Sequence, residues 1–240
     1  MPRVKFDRSL LPPAPDLAFE TACWDHGLSR VAGIDEAGRG ALAGPVYAAA
    51  VVLPNDAGIE AALRGVDDSK QLTAAARHEF AGRITACCTA FAVGCAAAAE
   101  IDAFGIVRAT RLAVHRALLA LVPLPDHLLV DFLALPEVPI PQTSLVKGDA
   151  RCLSIAAASI LAKTARDSEM ERIAADHPGY GWRRNKGYGT AEHLAAIERL
   201  GPSPVHRHSF APIKNFESLR FKAEHGSVLN LNDSLFFSAA

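Results

Sequence analysis

The chain has 240 residues, half of them hydrophobic, with 25 Lys+Arg against 26 Asp+Glu. That composition excludes whole-chain disorder and supplies no global basic field of the kind that announces nucleic-acid binding. The apolar runs Val46–Leu53 and Phe91–Ala99 are too short to span a bilayer, and Met1–Leu10 has no apolar signal stretch behind its charges, so a soluble cytoplasmic protein without membrane contact is expected.

Pro2, Pro12, Pro13 and Pro15 make residues 1–30 an extended arm that leads into a short helix around Leu17–His26. Val31–Asp35 and Val46–Leu53 are β-rich and flank the glycine-laden turn Gly38–Gly44. Helix Thr73–Ala86 and a third strand, Ala90–Ala98, follow, so the first three strands are expected to be antiparallel. Helical periodicity runs from Asp102 to Val122 and stops at Pro123–Pro125. Short strands are expected at His127–Leu133 and Thr143–Val146, then an alanine-rich helix from about Ala150 to Ala175. A last helix, Thr190–Leu200, stops at Gly201-Pro202.

This order predicts an α/β fold with a mixed central sheet flanked by helices. The expected divisions are the arm (1–30), a core (31–176), a basic helical extension (177–222) packed on the core, and a tail (223–240). The extension holds eight basic residues against three acidic ones, a net charge of +5. Five cysteines, an odd number without C-x-x-C spacing, read as reduced packing residues.

The densest chemical signal is Gly33-Ile-Asp-Glu-Ala-Gly-Arg-Gly-Ala-Leu-Ala-Gly44, in which a strand end delivers Asp35 and Glu36 into a glycine-rich turn. A phosphate-binding P-loop needs Lys and Ser/Thr after its second glycine, and Arg39-Gly40 stand there instead. A dinucleotide fingerprint needs G-x-G-x-x-G followed by a helix, whereas Gly38, Gly40 and Gly44 are spaced differently and lead into a strand. A carboxylate pair beside an approachable backbone suits a divalent cation next to a phosphodiester; an isolated Asp-Glu would otherwise be a turn with solvated acids.

Asp131 ends an apolar run, where an unpaired acid is costly to desolvate. Asp149 precedes the long helix, where it could equally serve as an N-cap or first-turn acid. Together Asp35, Glu36, Asp131 and Asp149 form the oxygen-rich set that hard cations prefer, and no histidine or cysteine cluster offers a rival zinc site.

These blocks resemble ribonuclease HII, the bacterial type 2 ribonuclease H. The resemblance is carried by Gly33–Gly40 with Leu42–Val46, Asp68-Ser-Lys-Gln-Leu72, Val130-Asp131, Lys147-Gly-Asp149, Ser154 through Lys163 with Arg166-Asp167, Lys186-Gly-Tyr-Gly-Thr190 with His193, and His206-Arg-His-Ser-Phe210. They run in family order over roughly three quarters of the chain. The resemblance implies a ribonuclease H-like fold with a small helical C-terminal extension. It also implies cleavage of RNA in RNA–DNA hybrids and at single ribonucleotides in duplex DNA, with two Mn²⁺ or Mg²⁺ ions and 5′-phosphate and 3′-hydroxyl products.

Carried over by position, Asp35, Glu36, Asp131 and Asp149 are the catalytic and metal-binding acids. Gly38, Arg39, Gly40, Ser69, Lys70, Lys147, Lys163, Arg166, Lys186 and Tyr188 are the substrate-binding residues. The glycine-flanked turn is read as reaching a ribose 2′-hydroxyl, Tyr188 as packing on the next sugar, and Lys163 with Arg166 as a pair beside Asp149. His193, His206 and His208 are read as hydrogen-bonding groups without a catalytic role, and Ser154 and Ser159 as small packing residues.

Two positions depart from the family. Ala41 stands where proline is frequent, and Phe132 puts a ring beside Asp131 where glycine is usual. A related ribonuclease that prefers long hybrids is the nearest alternative; a non-catalytic binding module is the other, disfavoured because a mere binder gains nothing from four acids facing phosphates. Outside the matched region, Asn232-Asp-Ser-Leu-Phe-Phe237 resembles the Gln-Leu-Ser/Asp-Leu-Phe peptides that dock on the bacterial sliding clamp; folding back onto the enzyme is the other reading. A monomer with a role in ribonucleotide removal is expected.

Overall fold

The computed structural model describes residues 11–218 except 57, 132 and 217. The tail 223–240, with its clamp-like segment, and Phe132 therefore lie outside the described residues. Five strands, β1 (Val31–Ala37), β2 (Val46–Val52), β3 (Ala90–Ala96), β4 (His127–Asp131) and β5 (Gln142–Leu145), form one sheet in the order β3-β2-β1-β4-β5. The β1–β2 and β2–β3 pairs are antiparallel, as expected, and β1–β4 and β4–β5 are parallel.

Both faces of the sheet are covered, which is why β2 reads as a continuous apolar run instead of an alternating one. Ala48, Ala50 and Val52 face helix α5 (Ile106–Ala120), while Ala49 and Val51 face helix α6 (Leu153–Asp176). The helices lie close because the sheet surface is small. A Cβ at Gly33 would sit 2.2 Å from the carbonyl carbon of Ser154, so the strand carrying Asp35 requires glycine beneath α6.

The remaining helices are α1 (Ala18–Asp25), α2 (Ile59–Ala62), α3 (Ala74–Cys87), α4 (Ala98–Phe104), α7 (Trp182–Asn185) and α8 (Ala191–Leu200). Thr73 and Thr190 cap α3 and α8, each side-chain oxygen accepting a backbone N–H at 3.2 Å, worth about 1 kcal/mol apiece. Four details differ from the sequence expectation. The single helix over Asp102–Val122 is two, because Gly105 at φ 78° ends α4 and begins α5. Helix α6 starts at Leu153, preceded by a 3-10 turn at Gly148–Ala150. Helices α2 and α7, each four residues long, carry too little periodicity to be seen in the sequence.

The C-terminal third packs on α6 through Met170, Tyr180, Trp182, Ile197 and Ile213, with residues 211–216 helical. Here Trp182 Nε1–H donates to His193 Nε2 at 2.9 Å, and His206 Nε2 lies 3.1 Å from the same nitrogen. Burial, then His193, push the His206 pKa down to about 4, so the ring stays neutral and structural. The five cysteines are free thiols, and no helix among the described residues is long and apolar enough to cross a membrane.

Candidate active site

A cleft of about 510 Å³ opens at the carboxyl ends of β1 and β4, on the α6 side of the sheet. Asp35, Glu36 and Asp131 line it because β1 and β4 are parallel neighbours that end together. Asp149, on the 3-10 turn, is buried behind the cleft wall, where the cleft residue Lys70 reaches it. Lys147 takes the left-handed conformation (φ 60°), which turns the chain so that the Gly148 N–H donates to Asp131 Oδ1 at 2.7 Å. This hydrogen bond locks the third acid to the turn bearing the fourth.

Asp35 is 5% exposed and Asp149 2%. Burial, followed by the charges of Glu36 and Asp131, holds the Asp35 carboxyl well above its ordinary range, only partly offset by the Ser159 hydroxyl and the Glu36 amide. Asp131 is pushed up to about 6 by burial and by Asp149. Mutual repulsion of this kind shows that the acids share one field. Lys70 Nζ stands 3.2 Å from Asp149 Oδ2; its pKa is raised because Asp68, Asp149 and Asp35 outweigh its own desolvation.

The donor set fits a divalent cation. Four carboxylates supply oxygen alone, and burial, with the charges of neighbouring acids second, raises Asp35 and Asp131. Among the described residues no three acidic, histidine or cysteine side chains stand close enough together to enclose an ion. Each acid also engages a local partner, as when Glu36 Oε1 accepts from Arg39 Nη1 at 3.0 Å.

The other anticipated residues divide into groups. Gly38, Arg39, Gly40, Ser69, Lys70, Lys163 and Tyr188 line the same cleft as the acids. Arg166 does not: it is fully buried behind the turn, where Nε donates to Pro45 O at 3.0 Å and Nη2 to Ala43 O at 3.3 Å. The expected pairing of Lys163 and Arg166 beside Asp149 is replaced by Lys163 on Asp167 at 2.6 Å and Lys70 on Asp149. Helical spacing placed the two on one face but could not tell that the Gly38–Gly44 turn covers part of it.

Lys186, also left-handed at φ 49°, spends its ammonium on Glu171 at 2.6 Å and on the Arg183 carbonyl, and lines a separate small cavity. Lys147 is exposed beside the acid-bearing turn. The aromatic ring of Tyr188 lies under two cations of α6, the Arg166 guanidinium at 5.1 Å and the Lys163 ammonium at 5.6 Å.

Three participants escaped sequence reading. Ser159 does more than pack, since its hydroxyl lies 2.9 Å from Ser69 Oγ and acts on Asp35. Arg207, buried, donates from Nε to Gly44 O and from Nη1 to Arg39 O, bracing the turn from its far side. Arg77 lines the cleft, and a cation in the opening turns of α3, against the helix dipole, was the one signal that it has work elsewhere. At Ala41 the N–H donates to Gly38 O at 3.2 Å, a bond that proline cannot make.

The ribonuclease HII family model matches residues 32–213. The chain is 53% identical over 204 residues to ribonuclease HII of Synechococcus sp. strain JA-3-3Ab, covering 85% of this chain and 91% of the relative. It is 52% identical over 201 residues to that of Rhodospirillum rubrum, covering 83% and 90%. Among solved structures, ribonuclease H2 from Pyrococcus horikoshii OT3 superposes with a TM-score of 0.65 at 27% identity, covering 80% of this chain and 99% of that one. Fold, cleft and sequence agree: the chain belongs to the ribonuclease HII family, metal-dependent endonucleases that hydrolyse the RNA strand of RNA–DNA hybrids.

Proposed function

We propose that this cleft, besides cutting RNA in hybrids, incises duplex DNA on the 5′ side of single embedded ribonucleotides, leaving 5′-phosphate and 3′-hydroxyl ends. The observation that carries the reading is the convergence of three acids, the Gly38-Arg39-Gly40 turn and Tyr188 on one cleft. The acids Asp35, Glu36, Asp131 and Asp149 would hold two Mg²⁺ or Mn²⁺ ions, which when bound make water a stronger nucleophile at neutral pH and offset charge on the leaving 3′-oxygen. The protein's own work is positional. The turn's backbone offers donors and acceptors to a 2′-hydroxyl, the group that separates RNA from DNA, and Gly40 leaves open space where a side chain would intrude. Tyr188, held by its contacts with Lys163 and Arg166, lines the cleft and would offer its ring to the neighbouring sugar. Lys70, Lys147 and Lys163 offset phosphate charge.

A duplex with one ribonucleotide tests this directly. Incubation with Mg²⁺ or Mn²⁺ is expected to give one nick 5′ of the ribonucleotide, absent in the Asp35→Asn variant. A chain that cuts long hybrids and leaves this duplex intact under both ions refutes the single-ribonucleotide reading. We further propose that the protein acts as a cytoplasmic monomer in ribonucleotide removal during DNA repair. Segment 232–237, outside the described residues, would dock on the sliding clamp, a reading supported by its Ser-Leu-Phe match to clamp-binding peptides.

A further inference from the structure

Arg77 on α3, which lines the cleft, forms an ion pair with Asp167 on α6 behind it, Nη2 to Oδ2 at 3.1 Å, with side chains only 14% and 12% exposed. Both carboxylate oxygens of Asp167 are used, since Oδ1 accepts from Lys163 Nζ at 2.6 Å. One acid thus engages two cations that line the cleft. The second Arg77 nitrogen, Nη1, donates to Ser69 O at 3.0 Å and to Leu72 O at 2.6 Å.

Those two carbonyls bracket Lys70. Segment 68–72 is neither helix nor strand; it has a turn bond from Gln71 N to Asp68 O, and Ser69 Oγ meets Ser159 Oγ. The Lys70 side chain is 70% exposed yet reaches the buried Asp149. A long solvated lysine gains little from any one ion pair and loses rotamer freedom in making it, so its aim depends on the backbone that carries it. Arg77 holds that backbone on both sides with a planar fork whose orientation Asp167 sets. A lysine at position 77 has the charge without the fork.

We propose that Arg77 and Asp167 are positioning residues: Asp167 orients the guanidinium, Arg77 clamps segment 68–72, and the clamped segment aims Lys70 at the phosphate backbone of the bound strand. The inference rests on the reading of this cleft as the nucleic-acid site. It assigns Arg77 an action through Lys70 and not on the substrate itself.

A double-mutant cycle on the full chain tests it, with binding of a fluorescent ribonucleotide-containing duplex measured by anisotropy in EDTA and kcat and KM measured in Mg²⁺. Loss of the lysine in Lys70→Ala is expected to weaken binding about tenfold and flatten its salt dependence by one phosphate contact. Arg77→Lys is expected to weaken binding about fivefold, raise KM similarly and leave kcat within about twofold. The double variant Arg77→Lys with Lys70→Ala should bind no worse than Lys70→Ala alone, because the two act in series. Additive losses, or an Arg77→Lys protein that binds like the original, overturn the proposal. If Arg77→Lys fails to fold, Asp167→Asn with Lys70→Ala completes the same cycle. A chain that binds the duplex without cutting it would sink the proposed activity while the cycle on binding still decides this inference.

Discussion

Arg166 fills the space directly beneath Gly38: a Cβ on that glycine would lie 1.9 Å from the guanidinium Nε, and its φ of 92° already disfavours any side chain. A Cβ on Gly40, two residues on, would meet nothing within 4 Å. The two glycines of one motif are therefore small for opposite reasons. Gly38→Ala is expected to lower stability by about 2 kcal/mol or more, since a buried arginine must move. Gly40→Ala should melt like the original protein while losing cleavage at single ribonucleotides. Thermal melts and kinetics on both variants check this; equal stability losses would refute the distinction.

The repulsion among the acids predicts a trade between stability and activity. Asp131 titrates at about 6 in the fold against an ordinary carboxylate value near 4, so the folded state holds its proton longer than the unfolded one. Stability therefore falls as pH rises through that window, and the cost is fully present at pH 7. In EDTA at pH 7.5, Asp131→Asn and Asp35→Asn should each raise the melting temperature by a few degrees. In Mg²⁺ they should lose cleavage by orders of magnitude. A lower melting temperature for both would show the acids to be structural.

Glu20 on α1 presents the same sign of shift for a different purpose. Its Oε1 accepts from the Ser154 N–H at 2.7 Å and from Cys152 Sγ at 3.1 Å, satisfying the amino end of α6, and burial raises its pKa. Glu20→Gln should keep these bonds and stay within about 1 kcal/mol of the original, with a flatter stability–pH curve above pH 5. Glu20→Ala should cost about 2–4 kcal/mol by orphaning the N–H and opening a cavity. Chemical denaturation at pH 5 and pH 8 separates the two.

Tyr188→Ala should cost more on single-ribonucleotide duplexes than on long hybrids, where neighbouring ribose contacts remain. Side-by-side kinetics giving equal losses would argue for a packing role beside Lys163 and Arg166.

For the tail, Leu235→Ala with Phe236→Ala should abolish binding to the sliding clamp in a titration and leave cleavage of short oligonucleotides and the melting temperature unchanged. A drop of several degrees would instead assign those side chains to the core.

Much of this was legible in the sequence, for local reasons. The β2 run Val46–Val52 is apolar throughout because both its faces are covered, and Asp131 stands out as an acid closing an apolar strand, whereas Asp149 read alone is as good a helix-start acid as a ligand. Gly105 could have announced the break between α4 and α5. What stayed hidden depends on partners distant in the chain. The burial of Arg166 comes from carbonyls at Ala43 and Pro45, and the role of Arg77 from Asp167, none of which any periodicity connects. Lys186 matched its family motif, yet its charge is engaged by Glu171.

The parallel pairing of β1 with β4 has a kinetic consequence. The β1–β2–β3 meander closes through successive antiparallel neighbours, whereas β4 can join β1 only after α3, β3, α4 and α5 have been threaded between them. Long closures of this sort come late and slowly. A nascent or partly refolded chain would thus display Asp35 and Glu36 on a formed strand before Asp131 and Asp149 arrive, and such a half-assembled chain has no means of cutting nucleic acid. Recovery of nuclease activity on refolding should therefore lag behind recovery of β-sheet signal.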